Sequence, residues 1–188
     1  MTEAQWVERI AEILRTRLPL KKSLQIKTRV KLAYQYEIDV YPSEASEKPR
    51  AMASEFQTDL AIVESLHQGW KPRVVVEAKL GTVTSDGAIT YSHKAGLHRA
   101  VQPYLRYGIM LGDREDYPLP GRLYRHGAQF DFMVSFKGLE PTEEELQALI
   151  ELLKAEVEAS RILEKIFAEH RKPGRDKYTV LHRKLILK

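Results

Sequence analysis

Three charged residues flank two short apolar runs of strand-like composition. Asp59 directly precedes the run Leu60–Val63, and Glu77 and Lys79 follow the run Val74–Val76. A charged group at the end of a buried strand costs free energy unless it is paired, hydrogen-bonded or bound to a cation. The placement of these three residues therefore indicates a site rather than ordinary strand composition.

Antiparallel pairing of the two runs predicts how these residues meet. With Val63 opposite Arg73, Asp59 lies opposite Glu77, and side chains in such a pair have Cβ atoms about 4.5–5.5 Å apart. Lys79 projects from the same face as Glu77, because strand side chains alternate. Two carboxylates at this separation repel each other unless one is protonated or a cation bridges them. Mg²⁺ prefers oxygen ligands of this kind and retains several waters.

A simpler interpretation of the same residues is an ion pair between Lys79 and either Glu77 or Asp59 at the surface end of a hairpin. The triplet Glu77-Ala78-Lys79 has little value by itself, because Glu and Lys are among the commonest residues. Its value comes from the apolar strand that it ends and from the aspartate on the preceding strand.

This arrangement resembles the active site of the PD-(D/E)XK, or restriction-endonuclease-like, nucleases. The resemblance implies that Asp59, Glu77 and Lys79 are the catalytic residues. Asp59 and Glu77 would bind Mg²⁺, for which Mn²⁺ can substitute, with the carbonyl of Ala78 as a further ligand. Lys79 would position or activate the attacking water. Thr58 stands where the family name has proline.

The same resemblance implies an α/β fold with a mixed central β-sheet flanked by helices. Its restriction-endonuclease-like core has the element order αβββαβ and covers about residues 1–112. A C-terminal helical and strand extension over about 113–188 completes a single domain. A length of 188 residues suits one domain.

Local patterns predict the individual elements. Capping boxes at Thr2–Gln5 and Thr142–Glu145 begin two helices. The second of these helices is rich in glutamate, and a phase break in its apolar stripe predicts a kink or two helices. The other patterns predict a first helix over 2–18, a strand over 29–41, a loop over 42–53, the hairpin 56–80, a helix over 89–107, a strand over 108–111, a loop over 113–127 and a strand over 130–136.

Further residues are candidates for the surroundings of the site. Lys94, His98 and Gln102 form a polar row on the helix after the hairpin. By the resemblance, Lys94 and Gln102 are expected to support the site or contact phosphate, with a weaker case for His98. Glu37, on the first strand, could lean toward the hairpin as a third acid. Any surface helix shows such a polar row, and an exposed strand face equally explains Glu37.

Related nucleases often have an extra acid on the first helix, which draws attention to Glu8 and Glu12. A helical wheel places both opposite the apolar stripe of that helix. We therefore expect both side chains to be solvated rather than part of the site.

The charge distribution is compatible with a polyanionic partner. The formal net charge is +4 and the pI is about 9.2. Basic and aromatic residues are interleaved in the loop 113–127, and the tail 170–188 is strongly basic, so both segments are candidates for DNA contact. A solvated loop and a charged edge strand that resists aggregation are the alternatives.

Composition also bears on cellular location. The chain has no cysteine, no apolar stretch near the roughly 18 residues that span a membrane, and no secretory signal at its acidic start. A cytoplasmic protein without membrane contact is expected.

Together these observations predict a Mg²⁺-dependent deoxyribonuclease that hydrolyses DNA phosphodiester bonds. A homodimeric restriction-type endonuclease is the first expectation, since cutting two strands needs two sites and symmetric dimers are common. A junction-resolving or repair nuclease is an alternative. A non-catalytic member of the fold that binds nucleic acid or protein is another, and a structural domain that assembles through its acidic helix is a third.

Overall fold

A five-stranded mixed β-sheet with helices on both faces forms the centre of the structure, a computed structural model that describes residues 1–18, 23–44, 46–115, 118–169, 180 and 185–187. The elements are α1 (Glu3–Arg17), β1 (Leu24–Thr28), β2 (Lys31–Val40), β3 (Arg50–Gln57), β4 (Leu60–Ser65), β5 (Trp70–Leu80), α2 (Ser85–Val101), β6 (Arg106–Gly112), α3 (Gly121–His126), β7 (Phe132–Ser135) and α4 (Glu143–Glu169). The sheet order is β1-β4-β5-β6-β7. Its first two pairings are antiparallel and its last two are parallel.

The central strands are apolar throughout because the sheet is covered on both faces. Alternate residues such as Ile62 and Val74 pack with α1 and α4. Their neighbours, such as Val63 and Val75, pack with α2 and α3 on the other face. The predicted mixed α/β architecture is therefore confirmed at this level.

β2 and β3 form a separate two-stranded antiparallel ribbon outside the central sheet. The ribbon packs against α2 through Phe56. The ring of Phe56 lies edge-on to that of His98, with centroids 6.0 Å apart. The predicted loop over 42–53 is wrong for its last four residues, because β3 begins at Arg50. Alanine, serine and glutamate in β3 concealed its strand character, which depends on pairing with β2.

Other predicted elements also differ from the structure. The predicted order αβββαβ is wrong, because β1 precedes the strand predicted as the first and five strands lie between α1 and α2. The helix predicted over 89–107 is α2, which ends at Val101 before Pro103, and residues 106 and 107 belong to β6. The loop predicted over 113–127 contains the short helix α3. The acidic helix is one continuous element, α4. β7, from the predicted C-terminal extension, pairs with β6 and belongs to the central sheet.

The hairpin register agrees with the prediction at the end where Asp59 and Glu77 lie. Leu60 pairs with Val76 and Ile62 with Val74, which sets Asp59 beside Glu77. At the other end the predicted Val63–Arg73 pair is wrong, because a register shift places Pro72 opposite Val63. The side chain of Arg73 instead forms ion pairs with Glu64 at 2.6 Å and Glu164 at 2.7 Å.

Both predicted capping boxes are present, with reciprocal hydrogen bonds between Thr2 and Gln5 and between Thr142 and Glu145. Among the described residues, no helix has the length and apolar character needed to cross a membrane. The basic tail predicted over 170–188 lies outside the described residues except at 180 and 185–187.

Candidate active site

Asp59 lies at the junction between β3 and β4. Its carboxylate oxygen Oδ2 accepts a hydrogen bond of 2.8 Å from the backbone N–H of Ala78. The preceding residue, Thr58, is fully buried and donates both its backbone N–H and its hydroxyl to the carbonyl of Val30, at 2.8 and 2.9 Å. Proline has neither donor. Threonine at this position therefore fixes the chain at the site through bonds that proline could not make.

Glu77 is buried on β5 and has two side-chain partners. The hydroxyl of Tyr107 donates a hydrogen bond to Glu77 Oε1, and the ammonium of Lys94 lies 2.8 Å from the same oxygen. Burial raises the pKa of Glu77 and the charge of Asp59 adds to the increase, while Lys94 opposes it. The charges of Asp59 and Lys94 therefore shift the pKa of Glu77 in opposite directions, so both groups lie close enough to interact with its carboxylate.

The hydrogen bonds leave one oxygen of each carboxylate for a further ligand. Within the described part of the chain, Asp59 Oδ1 and Glu77 Oε2 have no hydrogen-bond donor. The described residues contain no group of three or more His, Cys, Asp or Glu side chains suited to a metal ion. A cation here would have two carboxylates, the predicted carbonyl of Ala78 and water as ligands. A set this small suits Mg²⁺, which keeps several of its waters.

Lys79 lies on the same face of β5 as Glu77 and pairs with an acid that the sequence did not single out. Its ammonium is 2.8 Å from Oε1 of Glu3, in the first turn of α1, and 5.0 Å from the centre of the Tyr91 ring. The other oxygen of Glu3 accepts from the N–H of Leu80 at 3.3 Å. Burial by itself would lower the pKa of Lys79, but the hydrogen bonds with Glu3 and Tyr91 raise it overall.

The observed partner of Lys79 bears on the surface ion-pair interpretation. That interpretation expected Lys79 to pair with Glu77 or Asp59, whereas the structure pairs it with Glu3. Glu3 is thus the acid that the first helix contributes next to the site. Its only sequence signal was a position in the first turn of a helix, where acids are common for reasons of helix dipole alone.

Of the four candidates for the surroundings, Lys94 lies at the site, His98 packs against Tyr107 behind Glu77, and Gln102 and Glu37 lie away from it. Lys94 also donates to the carbonyl of Gln57 at 2.7 Å. Gln102 is the C-cap residue of α2, about 12 Å along the helix from Lys94. Glu37 is exposed on the ribbon, where it accepts from Gln35 and pairs with Met52 of β3. An extended chain from Met52 to Asp59 spans roughly 20 Å.

Glu8 and Glu12 of α1 lie outside the site, as the helical wheel predicts. Glu12 is exposed. Glu8 is partly exposed and accepts hydrogen bonds from Arg15 at 2.6 Å and Thr28 at 2.7 Å, which lower its pKa. Glu8 is therefore an anchor between α1 and β1.

Two of the basic residues in the segment 113–127 stabilise the loop that follows Lys79. Arg114 is buried and donates to the carbonyl of Gly81 at 3.0 Å, and Arg122 donates to the carbonyl of Val83 at 2.9 Å. These bonds fix the position of the loop that connects β5 to α2. Lys79 lies just before this loop and Lys94 lies after it. Tyr124 and Arg125 are exposed on α3 and remain candidates for contact with a partner.

Tyr107, another residue that the sequence did not single out, is held by a buried histidine. The rings of His98 and Tyr107 are stacked with centroids 5.6 Å apart, and His98 Nδ1 donates to the carbonyl of Ala33 at 3.2 Å. Burial lowers the pKa of His98 to about 4. The imidazole is therefore neutral near pH 7, and its hydrogen bond ties α2 to the ribbon.

The pKa of His98 predicts a loss of stability in mild acid. Between pH 6.5 and pH 4 the unfolded chain binds a proton at this histidine that the folded chain does not, so stability falls as the pH falls. The full effect is about 3 kcal/mol. Urea unfolding across this range should show a shallower pH dependence in His98→Gln than in the wild type. The exposed His93 on the same helix provides the control, since His93→Gln should leave the slope unchanged.

Comparison with known proteins finds no family model that matches the chain and no curated protein with significant similarity to it.

Proposed function

We propose that the chain is a Mg²⁺-dependent nuclease of the PD-(D/E)XK type that hydrolyses DNA phosphodiester bonds, with a restriction-type endonuclease as the first candidate. The observation that supports this most is the position of Asp59 beside Glu77 at the end of an antiparallel hairpin. Lys79 follows two residues later on the same face. The mixed sheet with α1 and α2 on opposite faces is compatible with the restriction-endonuclease-like fold that this proposal includes.

In the proposed mechanism, Asp59, Glu77 and the carbonyl of Ala78 would hold the Mg²⁺, and Mn²⁺ could replace it. When bound, the ion lowers the pKa of a water and neutralises charge that develops on the phosphate in the transition state. The N–H of Ala78 and the hydroxyl of Tyr107 orient the two carboxylates. Lys79, held by Glu3, positions the attacking water and the scissile phosphate. Lys94 has three N–H donors, and its two oxygen contacts leave one for a phosphate oxygen.

One observation favours a second candidate, a non-catalytic member of the same fold that binds nucleic acid or protein. Lys94 already compensates the charge of Glu77 without a metal ion. A binding module of this kind would bind DNA without cutting it, and neither Mg²⁺ nor Mn²⁺ would induce cleavage.

Incubation with supercoiled plasmid, linear duplex, branched DNA and RNA, each with Mg²⁺, Mn²⁺ or EDTA, separates these candidates. The proposed function predicts cleavage of DNA that requires the divalent ion. Preference for the branched substrate would favour a junction-resolving or repair nuclease. Binding in a gel-shift assay without cleavage of any substrate would favour the non-catalytic candidate.

We also propose that the active form is a homodimer, and the ribbon offers a surface for it. Residues alternate along β3, so Phe56 and Met52 face the side of α2, and Ala51 and Ala53 face away from it. Their partners on β2 are Ile38 and Tyr36, which are 46% and 56% exposed. The middle of this outer face is uncharged, while Glu55 and Lys31 lie further along it. Two-fold packing can set Ile38 and Tyr36 against the alanines of the other copy.

The dimer proposal predicts opposite results for two substitutions on the ribbon. Ile38→Lys should shift the protein from dimer to monomer in sedimentation velocity at micromolar concentrations, because it places charge on the outer face. Met52→Lys is the matched control, since Met52 is 58% exposed on the opposite face of the ribbon. A wild-type monomer, or an Ile38→Lys dimer as stable as the wild type, would contradict the proposal.

A further inference from the structure

The ammonium of Lys94 is surrounded by groups of the kind that bind cations. Its ammonium lies 2.8 Å from Glu77 Oε1 and 2.7 Å from the carbonyl oxygen of Gln57. The two oxygens come from different strands, β5 and β3. The ring of Phe56 has its centre 5.7 Å from the same ammonium. A carboxylate oxygen, a carbonyl oxygen and an aromatic face all favour a positive charge.

The ammonium is also fixed in place rather than mobile at a surface. The side chain of Lys94 is only 14% exposed, and Glu77 is buried. Neighbouring residues of α2, Ser92 and Ala95, are buried as well, so the helix sets where this side chain points. A second positive charge could reach Glu77 Oε1 only by displacing Lys94. Without Lys94, that oxygen would keep only the hydroxyl of Tyr107 as a partner among the described residues.

We infer that Lys94 is a built-in cation that takes the place of a second metal ion, so the site binds one divalent ion and not two. This inference rests on the proposed nuclease function. Asp59 and Glu77 would hold the single ion, since each has a carboxylate oxygen without a donor in the described chain. Lys94 supplies one positive charge on the far side of Glu77 and limits the metal affinity of the site by repulsion.

Counting bound Mn²⁺ by electron paramagnetic resonance tests this inference without an activity assay. The wild type should bind one Mn²⁺ per chain. Lys94→Met should bind two, because it opens the oxygens of Glu77 and Gln57 to a second ion and removes the repulsion. Lys94→Arg retains the charge and should bind one. Lys154→Met, an exposed change on α4, should match the wild type.

The stoichiometry also separates failure of this inference from failure of the proposed function. Two Mn²⁺ ions in the wild type would overturn the role of Lys94 and leave the nuclease proposal intact. A single ion in a folded Lys94→Met protein would do the same. No Mn²⁺ bound to the wild type would overturn both.

Discussion

Glu77→Gln is expected to reduce Mg²⁺-dependent DNA cleavage by about a thousandfold or more, which corresponds to roughly 4 kcal/mol of lost transition-state stabilisation. Glutamine has the size of glutamate and retains an oxygen for the hydrogen bond from Tyr107. The substitution removes the charge and the anionic oxygen that a cation requires, together with the ion pair to Lys94. Initial rates of plasmid cleavage at saturating Mg²⁺ measure the effect.

Glu144→Gln is the matched control for this substitution, because Glu144 is exposed in the first turn of α4. It should cleave at the wild-type rate. The far-ultraviolet circular dichroism of both variants should match that of the wild type. A folded Glu77→Gln protein that cleaves within tenfold of the wild-type rate would exclude Glu77 as a metal ligand in catalysis.

Lys79→Met is expected to lower the cleavage rate by about a hundredfold to a thousandfold while leaving the binding of Mn²⁺ nearly unchanged. Lys79 is not a proposed metal ligand, and its ammonium acts on the water and the phosphate, a contribution of roughly 3–4 kcal/mol. Methionine preserves much of the apolar stem that packs near Tyr91. Single-turnover cleavage rates and Mn²⁺ binding, measured on the same preparation, separate the two effects.

Lys154→Met serves as the control, since Lys154 is an exposed lysine on α4. Its cleavage rate should be that of the wild type. If Lys79→Met lost Mn²⁺ binding together with activity, Lys79 would be a structural residue of the metal site. If it kept full activity, the assignment of Lys79 to the reaction would be wrong.

The sequence predicted the part of the site that depends on local pairing. Two apolar runs joined by a short turn define a hairpin, and the register Leu60–Val76 that follows from it places Asp59 beside Glu77. The prediction was less successful at the other end of the hairpin. The shift at Val63 accompanies ion pairs of Arg73 with the distant Glu164, and a local pattern contains no information on such contacts.

The residues that the sequence did not single out reach the site through tertiary packing. Glu3 lies 76 positions before Lys79, and its role depends on where α1 packs on the sheet. The sequence pattern predicts a helix at Tyr107, because the apolar residues near it extend the helical period of α2 past its true end. The ribbon was only half predicted, since β3 has the composition of a loop and gains its strand structure from β2.

The most direct test of the central claim compares the wild type with Asp59→Asn on supercoiled plasmid, in Mg²⁺ and in EDTA. Asparagine keeps an oxygen that can accept from the N–H of Ala78, so the hairpin end should be preserved. The proposed function predicts that only the wild type in Mg²⁺ converts the plasmid to nicked or linear DNA. Equal cleavage by Asp59→Asn, or cleavage by the wild type in EDTA, would contradict a metal-dependent site at Asp59 and Glu77.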